Sequence, residues 1–288
     1  MQRRHLAALY GLAIALLWGL SFLSIKVAVR EVPPMTMAAA RFLIAAAALP
    51  ALAALRGRRL RVPAADLPLL AVSGFVGVTL YFLGENNGVA LLSASESAII
   101  VGTIPVITVL AERAFLGTRL GTRTYVGAVL SLLGVALIVG QPGASGNSIK
   151  GYLYMGLATL AWVAYAFLTR PLARRHSQLT ITFWQILFGL LASLPFALAE
   201  APQWRAPGLA SVLNIVFLGL FCSALGYWLY IATLEILGPG RASLYLNLIP
   251  VVSVVAAYFL LGERLGLAQL AGGGAAIVGV YLATLPEG

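Results

Sequence analysis

Apolar residues occupy this chain in long blocks, with none of the period-2 or period-3.6 alternation that a water-soluble strand or helix of ordinary amphipathicity would show. Ten blocks stand out, at residues 6–29, 36–55, 67–91, 94–115, 122–141, 150–170, 179–199, 208–234, 241–261 and 267–285. A bilayer core about 30 Å thick needs about 20 apolar helical residues, so each block is long enough to cross. The connections are too short to hold a separate domain. The pattern predicts an all-α integral membrane protein of ten transmembrane helices embedded in a lipid bilayer. The first block is too long for a signal-peptide core and lacks a small-residue cleavage site, so it is expected to remain as a span.

Charge refines this picture. The chain of 288 residues is 61% hydrophobic and 10% charged, with a formal net charge of +10. That excess sits between the blocks, which argues for membrane orientation and against nucleic-acid binding. With the N-terminus inside, the cytoplasmic connections hold thirteen arginines: Arg3, Arg4, Arg56, Arg58, Arg59, Arg61, Arg113, Arg119, Arg123, Arg170, Arg174, Arg175 and Arg241. The other side holds five cations, Lys26, Arg30, Lys150, Arg205 and Arg264. Positive charge concentrates on the cytoplasmic side of membrane proteins, so both termini are expected there. The single cysteine, Cys222, excludes an internal disulfide and a multi-cysteine metal site.

The chain also repeats itself. Shifted by 145 residues, Ala98–Leu137 lies over Ser243–Leu282 with 14 identities in 40 positions. Among these are Ile104/Ile249, Pro105/Pro250, Gly117/Gly262, Arg119/Arg264, Leu120/Leu265, Gly127/Gly272 and Gly134/Gly279. At a shift of 144, Trp18 falls on Trp162 and Lys26 on Arg170. Residues 1–143 and 144–288 therefore form two five-helix units. An odd number of spans makes the second unit enter the membrane in the opposite sense. Inverted repeats of this kind place a cavity at the midplane between them and open it alternately to each side.

The repeated pattern "IPV…LGxRLG…G…G" (Ile104–Gly134 and Ile249–Gly279), with "LLWGLSFLSIK" (Leu16–Lys26) in the first span, resembles the ten-helix EamA-type branch of the drug/metabolite transporter superfamily. The resemblance covers essentially the whole chain, including "LGER" at Leu261–Arg264. It implies a basket of helices 1–4 and 6–9 around a central cavity, with helices 5 and 10 peripheral. Within that branch the chain is most similar to the YddG-type exporters of aromatic and other neutral amino acids, which implies amino-acid export across a bacterial inner membrane.

Candidate chemistry begins with "LYFLGENNGVALL" (Leu80–Leu92), which puts a carboxylate and two amides inside an apolar run. Such groups cost free energy in lipid unless they are paired or face a hydrated cavity. Glu85 lies ~9 Å and Arg41 ~7 Å from the outer surface at ~1.5 Å per residue, so the two are expected to pair, with Lys26 joining them. The trio reads either as a static ion pair or as an outer gate that takes the charged end of an amino acid, with Asn86 and Asn87 adding hydrogen bonds. Tyr81, at i−4 from Glu85, shares its helix face. Trp18, Trp162 and Tyr165 lie deep enough to line a cavity, and Tyr227, Trp228, Tyr230, Trp184 and Tyr245 supply further aromatics, with Tyr230 on the inner, closing side. The substrate-contacting set is thus Trp18, Tyr81, Glu85, Asn86, Trp162, Tyr165, Tyr227 and Tyr245. Pro105 and Pro250, in mid-span, are expected to kink their helices and free the carbonyls of Val101 and Leu246. Gly74, Gly77, Gly84 and Gly88 suit close helix packing, and Ser93 with Glu96 reads as a capping box opening the fourth span.

Other functions fit less well. Both histidines, His5 and His176, fall in connections, and neither a Walker A sequence nor a metalloprotease motif occurs, so neither an enzyme nor a cofactor is expected. A nucleotide-sugar or phosphorylated-metabolite carrier needs more cavity cations than Arg41 and Lys26. A small multidrug exporter needs a glutamate in the first span, which is absent. A broad drug/metabolite exporter remains open, as does proton coupling through Glu85 versus facilitated flux. The small-residue faces of the fifth and tenth spans suit internal packing or a homodimer.

Overall fold

A computed structural model of the protein describes residues 2–55, 57, 59–116, 121–139, 148–237, 242, 245–263 and 266–284. Arg56, Arg58, Gly117, Arg119, Leu120, Arg241, Arg264 and Leu265, which entered the charge and repeat arguments, lie outside the described residues.

All regular structure among the described residues is helical. Helix α1 (Gln2–Ala28) and α2 (Pro34–Leu55) are continuous. The next crossing starts with a 3-10 turn (Ala64–Asp66), runs as α3 (Leu67–Gly74), passes through a π-helical segment (Phe75–Leu80) and ends as α4 (Tyr81–Leu91). Then follow α5 (Ala94–Val101), α6 (Ile104–Leu116), α7 (Thr122–Val139), α8 (Ile149–Ala173) and α9 (Gln178–Ala199). Helix α10 (Leu209–Phe217) leads through a second π-helical segment (Leu218–Leu225) into α11 (Gly226–Leu237). A 3-10 turn (Tyr245–Leu248) precedes α12 (Ile249–Leu261), and α13 (Leu267–Thr284) closes the chain.

Seven of these helical runs are long and apolar enough to cross a bilayer, and three shorter apolar runs lie at Tyr125–Gly134, Tyr245–Leu261 and Leu270–Gly279. The three short ones coincide with the fifth, ninth and tenth predicted blocks, whose margins include residues outside the described set. The protein is a multi-pass, all-helical membrane protein.

The prolines act differently from the expectation of a mid-helix kink. Pro105 and Pro250 each occupy the second position of a new helix, α6 and α12. There the missing N–H has no intrahelical acceptor to lose, so proline starts a helix instead of bending one. The predicted fourth crossing is accordingly interrupted at Gly102 and Thr103, whose amides bond back to Ala98 O at 2.9 Å and Ile100 O at 3.0 Å. Gly102 makes room for the neighbour: a Cβ there would sit 2.5 Å from Pro250 Cγ.

Helix ends buried in an apolar medium must have their spare backbone groups satisfied. Ser93 and Glu96 form the predicted capping box at the start of α5. Glu263 adds to it, accepting from the amides of Ala94 and Ser95 and from Ser95 Oγ at 3.0, 3.2 and 2.8 Å. Glu200 does the same for α2, taking the amides of Met35 and Thr36 at 3.1 and 2.7 Å. Lys26 closes the other kind of end, donating to the carbonyls of Val89 at 2.9 Å and Leu92 at 2.5 Å. Glu31, between α1 and α2, accepts from Gly208 N and Ser211 Oγ at the start of α10. The Ser211 hydroxyl and then the Gly208 amide hold this carboxyl below the usual carboxylate range.

Packing pairs α7 with α13, α4 with α8, α2 with α9, and α1 with α11 and α12. The α7–α13 seam is reciprocal. A Cβ on Gly134 would lie 2.5 Å from both Gly272 O and Ala276 N, while one on Gly279 would lie 2.5 Å from Gly127 O and 2.3 Å from Ser131 N. Each partner is the other's counterpart at the 145-residue shift. The two π-helical segments also fall in register at that shift.

Candidate functional site

Between these helices lies a narrow, nearly closed cavity of about 20 Å³, room for about one water molecule. Helix α1 lends it Trp18, Ser21 and Phe22; α2 lends Arg41; α4 lends Tyr81, Phe82 and Glu85. Trp162 of α8 and Tyr227 of α11 close the opposite wall, and Val101, Ile104, Leu246 and Ile249, at the two interrupted crossings, complete it. Both proline-initiated breaks therefore border the cavity.

The aromatic wall is one contiguous cluster. Trp18 and Trp162 meet edge to face, with ring centroids 5.1 Å apart and planes at 86°. Tyr81 lies 4.9 Å from Trp162, and Tyr227 lies 5.7 Å from Trp162 and 6.0 Å from Trp18. Such pairs contribute ~0.5–1.5 kcal/mol each beyond area burial, enough to hold the cluster together. Tyr230 packs behind it, 5.1 Å from Trp162.

The π-helical segments set the polar ends of this cluster. A π turn displaces the i→i−4 ladder and leaves carbonyls available to side chains. Cys222 O accepts from Trp18 Nε1 at 2.9 Å, and Gly77 O accepts from the Tyr227 hydroxyl at 2.8 Å. Trp162 Nε1, by contrast, is buried with no partner; the Tyr230 hydroxyl approaches it without hydrogen-bond geometry.

Two opposite charges face the cavity without touching. Arg41 is 2% and Glu85 4% exposed. No Arg41 nitrogen lies within 4.0 Å of a Glu85 oxygen, so the expected ion pair is absent. Instead the guanidinium lies 4.5 Å from the centroid of Phe82, its Nε donates to Ser223 Oγ at 2.9 Å, and its Nη1 has no partner. Glu85 turns back one helical turn to accept from the Tyr81 hydroxyl at 2.7 Å. A cation stacked on a ring and an anion held by a phenol are each partly stabilised while remaining open to a third group.

Other predicted residues lie elsewhere. Lys26 does not join Arg41 and Glu85, because the end carbonyls of α4 take its ammonium. Asn86 is fully buried and donates to Pro34 O at 2.9 Å, tying α4 to the start of α2, and Asn87 bonds Leu83 O of its own helix. Tyr165 touches the cluster from behind, 5.1 Å from Trp162, but its hydroxyl is turned to Gln185 Oε1 at 3.0 Å. Tyr245 packs its ring where a Cβ of Gly11 would be, outside the cavity lining. Ser223 and Gln185 were not anticipated. Gln185 is the 144-residue counterpart of Arg41, and that correspondence could have singled it out. It bonds Ser73 and Thr169 at 2.9 Å each.

An all-helical membrane protein enclosing a small amphiphilic cavity, with no group of metal-ligating side chains among its described residues, has the form of a small-molecule carrier. Comparison with known proteins is specific. The model of the EamA-like transporter family matches residues 5–140 and 149–285, and the chain belongs to that family. A protein of Archaeoglobus fulgidus named as an uncharacterized transporter is 31% identical over 267 residues, covering 92% of this chain and 94% of its own. A probable terminal-alkyne amino-acid exporter of Streptantibioticus cattleyicolor is 29% identical, with 92% and 89% covered. The uncharacterized inner membrane transporter YedA of Escherichia coli is 25% identical, with 99% and 93% covered. The fold matches a crystal structure with a TM-score of 0.71 over 96% of both chains, at 23% identity. The protein is a membrane transporter, with a transport role in place of an enzymatic one.

Proposed function

We propose that this transporter exports amino acids with neutral or aromatic side chains, and related small metabolites, by alternating access. The observation that carries the reading is the cavity itself, where one arginine and one glutamate, unpaired with each other, sit at the edge of an aromatic wall. A free amino acid presents two opposite charges and a side chain, and this lining offers a counterpart to each. The name of the Streptantibioticus relative supports the substrate class. A phosphorylated substrate suits the site poorly, because Arg41 is the one cation among the described lining residues and Glu85 opposes it.

The transport cycle follows from two inverted five-helix repeats, residues 1–143 and 144–288, rocking about the cavity. The reciprocal α7–α13 seam, the paired π-helical segments and the two family-matched segments support this arrangement. The carrier works in a bacterial cytoplasmic membrane with both termini inside, as the arginine bias favours. Counterflow of labelled phenylalanine, leucine and a cationic dye in proteoliposomes tests the substrate class. Saturable amino-acid exchange is expected; exchange of the dye alone would replace the amino-acid reading with the broad drug/metabolite one.

A further inference from the structure

We infer that the cavity binds its substrate in one fixed orientation, the carboxylate on Arg41 Nη1 and Trp162 Nε1 and the ammonium on Glu85. This deepens, and rests on, the amino-acid reading above.

The inference comes from polar atoms left over in a buried site. Buried donors are almost always bonded, and leaving one unmade costs free energy. Arg41 Nη1 and Trp162 Nε1 are both orphaned, their residues are 2% and 3% exposed, and both residues line the cavity. Arg41 is not free to turn elsewhere, since Ser223 holds Nε and Phe82 supports the guanidinium plane. Trp162 is wedged between Trp18, Tyr81 and Tyr227. Two buried N–H donors without a hydrogen-bond partner, one of them cationic and both on residues that line the cavity, suit a carboxylate. Glu85, held through Tyr81, supplies the anion for an ammonium group.

The separation of the charges follows the same logic. Had Arg41 and Glu85 closed on each other, a zwitterion would have to break their bond to enter. Held apart, each has its charge compensated by the incoming ligand. The ring wall of Trp18 and Tyr227 is left for the side chain.

Binding of three probes to the purified, nanodisc-embedded full chain tests this: phenylalanine, phenethylamine, which lacks the carboxylate, and 3-phenylpropionate, which lacks the amine. Phenylalanine is expected to bind about 10- to 100-fold more tightly than either analogue, the range for one charge-assisted hydrogen-bonded contact. Trp162→Phe keeps a ring and deletes the donor. It should weaken phenylalanine and 3-phenylpropionate several-fold and leave phenethylamine unchanged, and Arg41→Gln should do so more strongly. Glu85→Gln should weaken phenylalanine and phenethylamine and spare 3-phenylpropionate. Trp162→Phe also serves should Arg41→Gln fail to fold. Equal losses for all three probes, or phenethylamine binding as tightly as phenylalanine, would overturn the orientation while the amino-acid reading stands. Absence of phenylalanine binding together with absence of amino-acid counterflow would remove the substrate class and the orientation with it.

Discussion

Substituting Gly134 by alanine tests the reciprocal seam between α7 and α13. The added methyl would sit 2.5 Å from Ala276 N and Gly272 O, both backbone atoms of the facing helix. Ordinary carbon contacts lie near 3.5–4.0 Å, so the helices must part by about 1 Å, because backbone cannot rotate aside as a side chain can. Overpacking of this kind costs about 1–3 kcal/mol. In a protein of this size that lowers the thermal midpoint by roughly 2–4 °C per kcal/mol. Gly279→Ala meets Ser131 N at 2.3 Å and should cost the same or more. Since either methyl already separates the pair, the double variant should lose less than the sum of the two. Gly274→Ala, on α13 with nothing within 4 Å, should melt at or slightly above the wild-type midpoint. Cys222, the sole cysteine, is buried, so a thiol-reactive dye reports unfolding in detergent directly. Gly134→Ala melting within a degree of Gly274→Ala would refute the close approach of these helices.

Three further outcomes are expected. Lys26→Met should strand the carbonyls of Val89 and Leu92 in apolar surroundings and destabilise by about 1–3 kcal/mol in the same melting assay, with no selective loss of one substrate analogue. Tyr227→Phe should leave the buried Gly77 O without its phenol donor and destabilise by about 1–3 kcal/mol in the same melting assay. Glu31→Gln should lower the melting midpoint at pH 7. Because the folded carboxyl titrates below its ordinary value of 4.5, that difference should persist from neutral pH down to the unfolded value and vanish as pH falls through the lowered one.

What the sequence made legible follows from what lipid forces on a chain. Spans must be long and apolar, so the blocks could be read directly, and polar or aromatic positions inside them had to face protein. Trp18, Trp162, Tyr81, Glu85, Arg41 and Tyr227 do share one cavity. The failures concern direction. Depth along a helix placed Lys26 beside Arg41, but the lysine's reach and the open end of α4 decided its partner. Asn86 and Tyr245 sit on faces turned away from the cavity, and helix rotation is set by neighbours that a single block cannot show. The π-helical segments shift the angular register of α4 and α11 relative to α3 and α10, and no composition rule marks where such a segment falls.

The cavity's chemistry sits where the two halves of the chain differ. Gly77 and Cys222 are counterparts at the 145-residue shift, and each offers a carbonyl from its π-helical segment. Trp18 and Trp162 are counterparts too, so by symmetry each indole should bond the carbonyl of the opposite half. Trp18 does. Trp162 does not: Gly77 O accepts from the Tyr227 hydroxyl, and the counterpart of Tyr227 is Phe82, which has no hydroxyl to offer Cys222 O. The charges diverge likewise: Arg41 corresponds to Gln185, fully engaged in hydrogen bonds, and Glu85 corresponds to Tyr230. Divergence at these few positions leaves Arg41 and Glu85 without charged counterparts in the other half, so the two halves line the cavity unequally.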